Sequence, residues 1–470
     1  MHFQPGAAIA AMVAVLGFLV LSRTSMRVAV AVLLAYLCVE SLVLTHLPRD
    51  AVLFARFAPE LGLIAVVVVR VLASIDLAVT RLRPIGAVLV TVAGAWLASA
   101  VWNLTALSTV VIGFRSELRF LPLLLLPLLS RTPRRDALFI GRVIVVLGVF
   151  EAIIAGIQLV GGPGVRAKFA PSYEIVIGGT TFAGSRVPDT ASIFGTFGHY
   201  NALGMFLALS WIVLAAAGSE RLGLGRWTGR AASTAMLLGV VVSGSRESAI
   251  ALLVAALVIA RIRFRLPVGY ATALVALLVA FAWPYVSSVS GEAPTSARSS
   301  RNIGQRWHSL LSPQTWQASY YSNFRLYLLA SDVELVAKEA PFLGFGIGSV
   351  SDRRRLQNGT SPLFRSPAGR RAAQFSYLYD GNWALILVEV GFLGLLALTL
   401  FLFRVGRISL QVAREHWLGL ALFAVLVAVL VLGFFAPVLQ LRLPGAILWL
   451  LLGVALAIHQ TPAEAEAEAA

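Results

Sequence analysis

Residues 130–161 read SRTPRRDALFIGRVIVVLGVFEAIIAGIQLVG. An arginine-rich connection leads into an apolar run longer than the ~20 residues a helix needs to cross a bilayer. This alternation recurs along the chain and decides the fold. Of 470 residues, 59% are hydrophobic and 13% charged, and mean hydropathy is +0.85. A soluble domain cannot bury that much apolar surface, so the composition predicts an all-α, polytopic membrane bundle. The short alternating strands of a porin-like barrel are not seen.

A hydropathy window finds roughly thirteen spans of about 20 residues, which predicts 12–13 transmembrane helices. They lie near 6–22, 26–46, 58–77, 85–103, 109–130, 138–161, 197–217, 231–245, 246–261, 266–287, 379–403, 415–436 and 441–459. The first run lacks the basic flank of a cleavable signal peptide and reads as a retained span. Every second connection is arginine-rich: Arg23 and Arg27, Arg81 and Arg83, SRTPRRD, GSERLGLGRWTGR, RIRFR and RVGRISLQVAR. The positive-inside rule puts these in the cytoplasm, with the N-terminus outside. The acidic tail TPAEAEAEAA then lies inside and reads as disordered.

Five regions follow: N-terminal spans (1–162), central spans with outer-face motifs (163–287), a large extracytoplasmic loop (288–378), C-terminal spans (379–460) and the tail (461–470). The net charge of +16 comes almost entirely from arginine. Much of it flanks spans, where it sets topology, so it does not require nucleic acid. The single cysteine, Cys38, excludes an internal disulfide and reads as a core residue.

The large loop is also basic, with Arg298, Arg301, Arg306, Arg325, Arg353, Arg354, Arg355, Arg365, Arg370 and Arg371. Long loops escape the positive-inside rule, so this charge needs another reason. Within the loop, NFRLYLLASDVELVAKEAP has helical spacing and stops at a proline. PFLGFGIGSV follows as a glycine-punctuated turn.

Polar residues beside or within spans are the candidates for function. In VIGFRSELRFL, Arg115, Glu117 and Arg119 form either a self-neutralised cluster at the interface or an anion-binding wall. In VVSGSRESAI, Ser243, Gly244 and Ser245 permit a tight turn whose N–H groups form an anion concavity beside Arg246. The alternative is a plain hairpin in which Arg246 pairs with Glu247. In YLYDGNWALILVEVGFLGLL, Asp380 is either the helix N-cap or a carboxylate base at the mouth of a site. In ASIFGTFGHYNALG (191–204), Asn201 caps a helix while His199 is an interfacial aromatic, or both contact a ligand.

These motifs, in this order, resemble the O-antigen ligase/O-antigen polymerase superfamily of bacterial surface-polysaccharide enzymes. GTFGHYN is similar to the family's Gly-x-Phe-x-His-Pro-Asn stretch, with Tyr200 in place of proline. Ser245-Arg246 matches its Ser-Arg turn. Arg325 and PFLGFGIGS match the arginine and glycine-rich turn of its large loop. DGNWALILVEVGFLG matches its last motif, with Glu389, Gly391 and Gly394. There, Asp380 and Gly381 stand where the family has His and Asn. The resemblance covers about residues 190–400.

The resemblance implies a multi-pass glycosyltransferase of the bacterial inner membrane, working on the extracytoplasmic face. Its donor would be a glycan on polyprenyl (undecaprenyl) diphosphate. Its acceptor would be a sugar hydroxyl, on lipid A-core for a ligase of lipopolysaccharide or on a second lipid-linked glycan for a polymerase. The bilayer is a partner by construction, and a chain-length regulator is the further partner a polymerase would imply. Arg246 and Arg325 suit a catalytic clamp on the leaving diphosphate, supported by Arg115 and Arg119. Asp380 is the first candidate base and His199 the second. His199, Asn201 and Ser245 line the substrate side. Direct displacement would invert the anomeric centre.

No His/Asp/Glu group has metal-ligand spacing, so no metal or other cofactor is expected. The basic loop would cover the site or hold anionic headgroups, or lie on the membrane as amphipathic helices near Arg353–Arg355. The rival class is a transporter or lipid-linked glycan flippase. That class often shows paired repeats with broken helices, whereas here the polar motifs gather on one face and in one half.

Overall fold

The computed structural model describes residues 26–47, 49–169, 176–177, 180–181, 192–265, 325–352, 355–356, 358–365, 367, 369–370 and 381–461. The spans expected at 6–22 and 266–287 lie outside these residues, as do residues 462–470 of the tail. So do Asp380, Arg298, Arg301, Arg306, Arg353, Arg354 and Arg371.

The regular structure of the described residues is helical apart from a two-residue antiparallel pair, Val176–Ile177 with Thr180–Thr181. Fourteen helices are described: α1 (Met26–His46), α2 (Arg49–Ala73), α3 (Ile75–Trp102), α4 (Leu107–Leu118), α5 (Leu121–Leu128), α6 (Pro133–Val160), α7 (Gly162–Phe169), α8 (Tyr200–Ala217), α9 (Arg226–Ser243), α10 (Arg246–Phe264), α11 (Arg325–Glu339), α12 (Asn382–Ala413), α13 (Trp417–Leu432) and α14 (Arg442–Gln460). Six of these (α1, α3, α6, α8, α12 and α14) are long and apolar enough to cross a membrane.

One expected span is not a single helix. The run at 109–130 divides into α4 and α5 at Arg119 and Phe120. Pro122 explains the division. It has no N–H to donate to the preceding turn, and its ring crowds the carbonyl of that turn, so a new helix starts at Leu121 with Pro122 in its first turn. Both helices are thus short, and α5 packs along α14.

α8, α13 and α14 are apolar on nearly all sides and form the centre of the bundle, as an all-round apolar helix should. α3 carries Val79, Val90 and Leu97 on an exposed face. α13 joins the two halves, because it packs against α8, α10, α12 and α14.

Arginines gather at one end of the bundle and tie its helix termini together. Arg27 bonds Asp136 at 2.5 Å and Thr132 at 3.0 Å. Arg81 donates to the carbonyls of Leu128 (2.5 Å) and Ser130 (2.6 Å) and to the Thr461 hydroxyl (3.0 Å). Arg142 donates to Leu222 O and Arg263 to Ala215 O, both at 2.7 Å. Cations suit helix C-termini because they meet unpaired carbonyls and the negative end of the dipole. Arg27, Arg81 and Arg263 come from the connections that the charge alternation assigned to one side, whereas Arg142 lies within the expected span 138–161.

Candidate functional site

The loop before α8 is held from below by α6. Gln158 accepts from the N–H groups of Phe194 (3.1 Å) and Gly195 (2.9 Å), and donates to Gly195 O (2.7 Å). Two turns further down, Glu151 accepts from the Thr196 N–H at 3.0 Å. Glu151 and Gln158 are seven residues apart, so they share a helix face, and both are fully buried. A Cβ on Gly195 would lie 2.2 Å from Glu151 Oε2, so the loop closes directly over that carboxyl group. Neither residue had been singled out in the sequence. The available signal was an ionisable residue inside a span, with an amide on the same face.

His199, not Asn201, caps α8. Its Nδ1 accepts from the Asn201 N–H at 3.2 Å, and the ring stacks on Tyr200 at 4.8 Å between centroids. Asn201 is instead a residue of the first turn, buried, with Oδ1 unpartnered among the described residues. Because Nδ1 is the acceptor, the neutral ring carries its proton on Nε2. The same device starts α13, where His416 Nδ1 accepts from the Leu418 N–H at 3.2 Å.

The Ser-Arg turn packs against this helix start. A Cβ on Gly204 would meet Ser245 Cβ at 2.6 Å and the hydroxyls of Ser243 and Ser248 at 2.9 Å. Asn201 lies three residues earlier, on the same side of α8. Ser245 is buried, ends next to Arg246 and shares a 2.6 Å hydrogen bond with Ser248. The expected anion concavity is partly occupied by the protein itself. The Gly244 N–H donates to Val241 O (3.1 Å) and the Ser245 N–H to Ser243 Oγ (3.2 Å). Arg246 is the first residue of α10 and is half-buried.

The other two motifs interlock. α12 breaks at Gly391 (φ 66°, ψ −171°). The break frees backbone groups on both sides, and the 341–346 turn takes them up. Phe345 N donates to Val388 O and Gly346 N to Glu389 O, both at 2.9 Å. Phe392 N and Leu393 N donate back to Pro341 O (2.9 Å) and Phe342 O (3.1 Å). Ser99 of α3 lies within bonding distance of Leu343 O (2.6 Å) and Glu389 O (2.9 Å), and Asn103 donates to Gly344 O at 3.1 Å. Glu389 is buried, and its Oε1 accepts from the N–H groups of Val350 (3.0 Å) and Ser351 (2.6 Å). Thr109 bonds Asp352 at 2.9 Å. The turn follows α11 directly, so the same lock holds the helix that Arg325 opens. α11 runs over Arg325–Glu339 and ends just before Pro341, as its spacing predicts.

The start of α12 differs from the expected cap. Its N-cap is Gly381, and the N–H groups of Asn382 and Trp383 donate to Gly433 O (2.7 and 3.3 Å). The end of α13 therefore does what a capping Asp380 would have done. Asp380 itself and the Arg325 side chain lie outside the description.

Arg115 and Arg119 converge on Glu60 of α2 rather than on Glu117. Arg115 binds it through Nε (2.8 Å) and Nη2 (3.0 Å) and covers the Phe57 ring at 4.5 Å, and Arg119 pairs with the same carboxylate. Two guanidiniums on one carboxylate leave one net positive charge. Glu117 is buried elsewhere and accepts from Gln440 at 2.5 Å. In the loop, Arg355 pairs with Asp352 at 3.7 Å.

The geometry thus joins four sequence motifs into two contact pairs: the His199 loop with the Ser-Arg turn, and the glycine turn with the broken span. A family model described as O-antigen ligase (Wzy_C) matches residues 231–399. The match takes in Arg246, Arg325, Asp380 and the whole interlocked pair, and begins after the His199 loop. The match supports, over those residues, the resemblance to the O-antigen ligase/polymerase superfamily, whose activity is broadly that of a glycosyltransferase. No curated protein matches the chain.

Proposed function

We propose that the protein transfers a glycan from a polyprenyl diphosphate to a sugar hydroxyl on the extracytoplasmic face of the bacterial inner membrane. The observation that carries this reading is the coincidence of the family match with the interlocked motifs. All three candidate catalytic residues fall inside 231–399, and the His199 loop packs on that region from outside it.

The leaving group is a lipid diphosphate, so charge develops as the glycosidic bond breaks. Arg246 and Arg325 hold it and stabilise that charge. Arg115 and Arg119, already paired with Glu60, add a longer-range field. Asp380 removes the proton of the acceptor hydroxyl as it attacks the face opposite the leaving group, which inverts the anomeric centre. His199 takes a different role from a base. Its Nδ1 is engaged in capping α8, which leaves it unsuited to proton abstraction and assigns it to the wall that contacts the glycan or phosphate. Ser245 and Asn201 shape the wall beside it.

The test is reconstituted full-length protein in liposomes with a polyprenyl-diphosphate oligosaccharide and a sugar acceptor. Transfer should persist in EDTA and fall in R246A and R325A. Translocation of the unmodified donor, with no new glycosidic bond, would support the transporter or flippase reading instead.

A further inference from the structure

Thr196 is where the His199 loop meets two spans. Its hydroxyl lies 2.7 Å from the Cys38 carbonyl of α1 and 2.5 Å from Glu151 Oε1 of α6, and its N–H donates to Glu151 Oε2. The Cys38 thiol donates to the same carboxyl at 3.2 Å. Thr196, Glu151 and Cys38 are all buried. No cationic side chain pairs with Glu151 among the described residues.

The protons in this cluster can be counted. A threonine hydroxyl has one proton, a carbonyl oxygen only accepts, and an ionised carboxylate only accepts. With Glu151 ionised, two close oxygen–oxygen contacts share the one threonine proton, and one of them is bare. A proton on Glu151 Oε1 removes the conflict. Glu151 then donates to Thr196, Thr196 donates to the Cys38 carbonyl, and the Thr196 N–H donates to Oε2. Every contact has its proton, and no unpaired charge is left inside the bundle, where it would be costly.

We propose that Glu151 works as a neutral carboxylic acid and is a positioning residue for the glycan-transfer site. It does not touch substrate. Together with Gln158 it fixes residues 194–196, and so sets where the next turn places His199 and the start of α8. This rests on the transfer reading above. It also extends the site into the N-terminal half, beyond the region that matches the ligase family. A glutamine fits the same scheme, because its N–H₂ replaces the acid O–H and its oxygen keeps the bond from Thr196 N–H.

The experiment compares E151Q, E151A and T196V, as full-length protein in liposomes, by donor KM, kcat and infrared spectrum. E151Q is expected to keep KM and kcat within about twofold of wild type, since every hydrogen bond but the weak one from the Cys38 thiol survives. E151A is expected to raise donor KM about tenfold or more with a smaller change in kcat. If E151A does not fold, T196V serves, because it removes the hydroxyl relay and keeps the backbone bond; its KM should rise about fivefold. The wild-type spectrum should contain a protonated-carboxyl band that E151Q loses. E151Q as impaired as E151A, or no such band, overturns the neutral-acid assignment. E151A and T196V with wild-type kinetics overturn the positioning role. The infrared band does not depend on catalysis, so a protein that carries the band but transfers no glycan would refute the transfer reading and leave the assignment standing.

Discussion

Gly344 and Gly391 meet backbone to backbone: a Cβ on Gly391 would lie 2.5 Å from Gly344 N, and one on Gly344 would lie 2.6 Å from Gly391 N. Both have positive φ, at 61° and 66°. An alanine at either position adds a clash of about 1–3 kcal/mol to a left-handed backbone strain of roughly 1–2 kcal/mol. G344A and G391A should each lower the melting temperature clearly and abolish most transfer. Gly94, in α3, has nothing within 4 Å of its Cβ, and G94A should be neutral or slightly stabilising. Thermal melts in detergent decide this, and a wild-type melt for G391A would refute the interlock.

Glu389 joins the broken span to the Arg325-bearing loop through a single side chain. E389A leaves the buried N–H of Val350 and the half-buried N–H of Ser351 without an acceptor, at about 1–3 kcal/mol for the buried one and less for the other. E389Q keeps an acceptor oxygen. E389A should therefore lose far more transfer activity than E389Q. Equal loss in the two would mean that the charge matters more than the hydrogen bonds.

His199 and Asp380 separate by role. H199A removes the α8 cap, worth about 1 kcal/mol, and the proposed substrate contact, so activity should drop about tenfold. H199N should restore stability, since asparagine caps well. D380N removes the proposed base and should lower kcat by about 10²-fold or more. Steady-state kinetics that reverse this order would exchange the two roles.

Asp332 makes stability depend on pH. It is buried on the loop helix α11, and burial pushes its carboxyl up to about 7 from an ordinary 3.8. Between those values the folded state holds more protons than the unfolded chain, so stability falls as pH rises through the window. The loss is complete above about pH 7 and amounts to at most about 4 kcal/mol. D332N should melt higher than wild type at pH 8, with the difference shrinking toward pH 4. Parallel pH profiles for the two proteins would exclude this.

Helices that depend on hydropathy alone were legible in the sequence. The run 26–46 is α1 to the residue, because an apolar run flanked by polar residues needs no tertiary information. The 109–130 run was not, since its leucines hide what Pro122 does to the backbone. The α8 cap was misread for a related reason. Asparagine is the better cap by propensity, but the loop geometry set by α6 brings His199 to that position. Glu151 and Gln158 were hidden because their loop partners lie across a long connection, up to 45 residues on, and Cys38 lies 113 residues back. The motifs could be found singly, but which one touches which follows only from glycines small enough to let two backbones meet.

Glycan transfer by the reconstituted protein from a defined polyprenyl-diphosphate oligosaccharide, with wild type, R246A and R325A measured side by side, decides most directly whether the two arginines hold the leaving diphosphate. Wild type should form a new glycosidic bond and release polyprenyl diphosphate, with release at least about a hundredfold slower in either variant. Undiminished release from R246A and R325A, or donor that crosses the bilayer unchanged with no bond formed, would contradict that role.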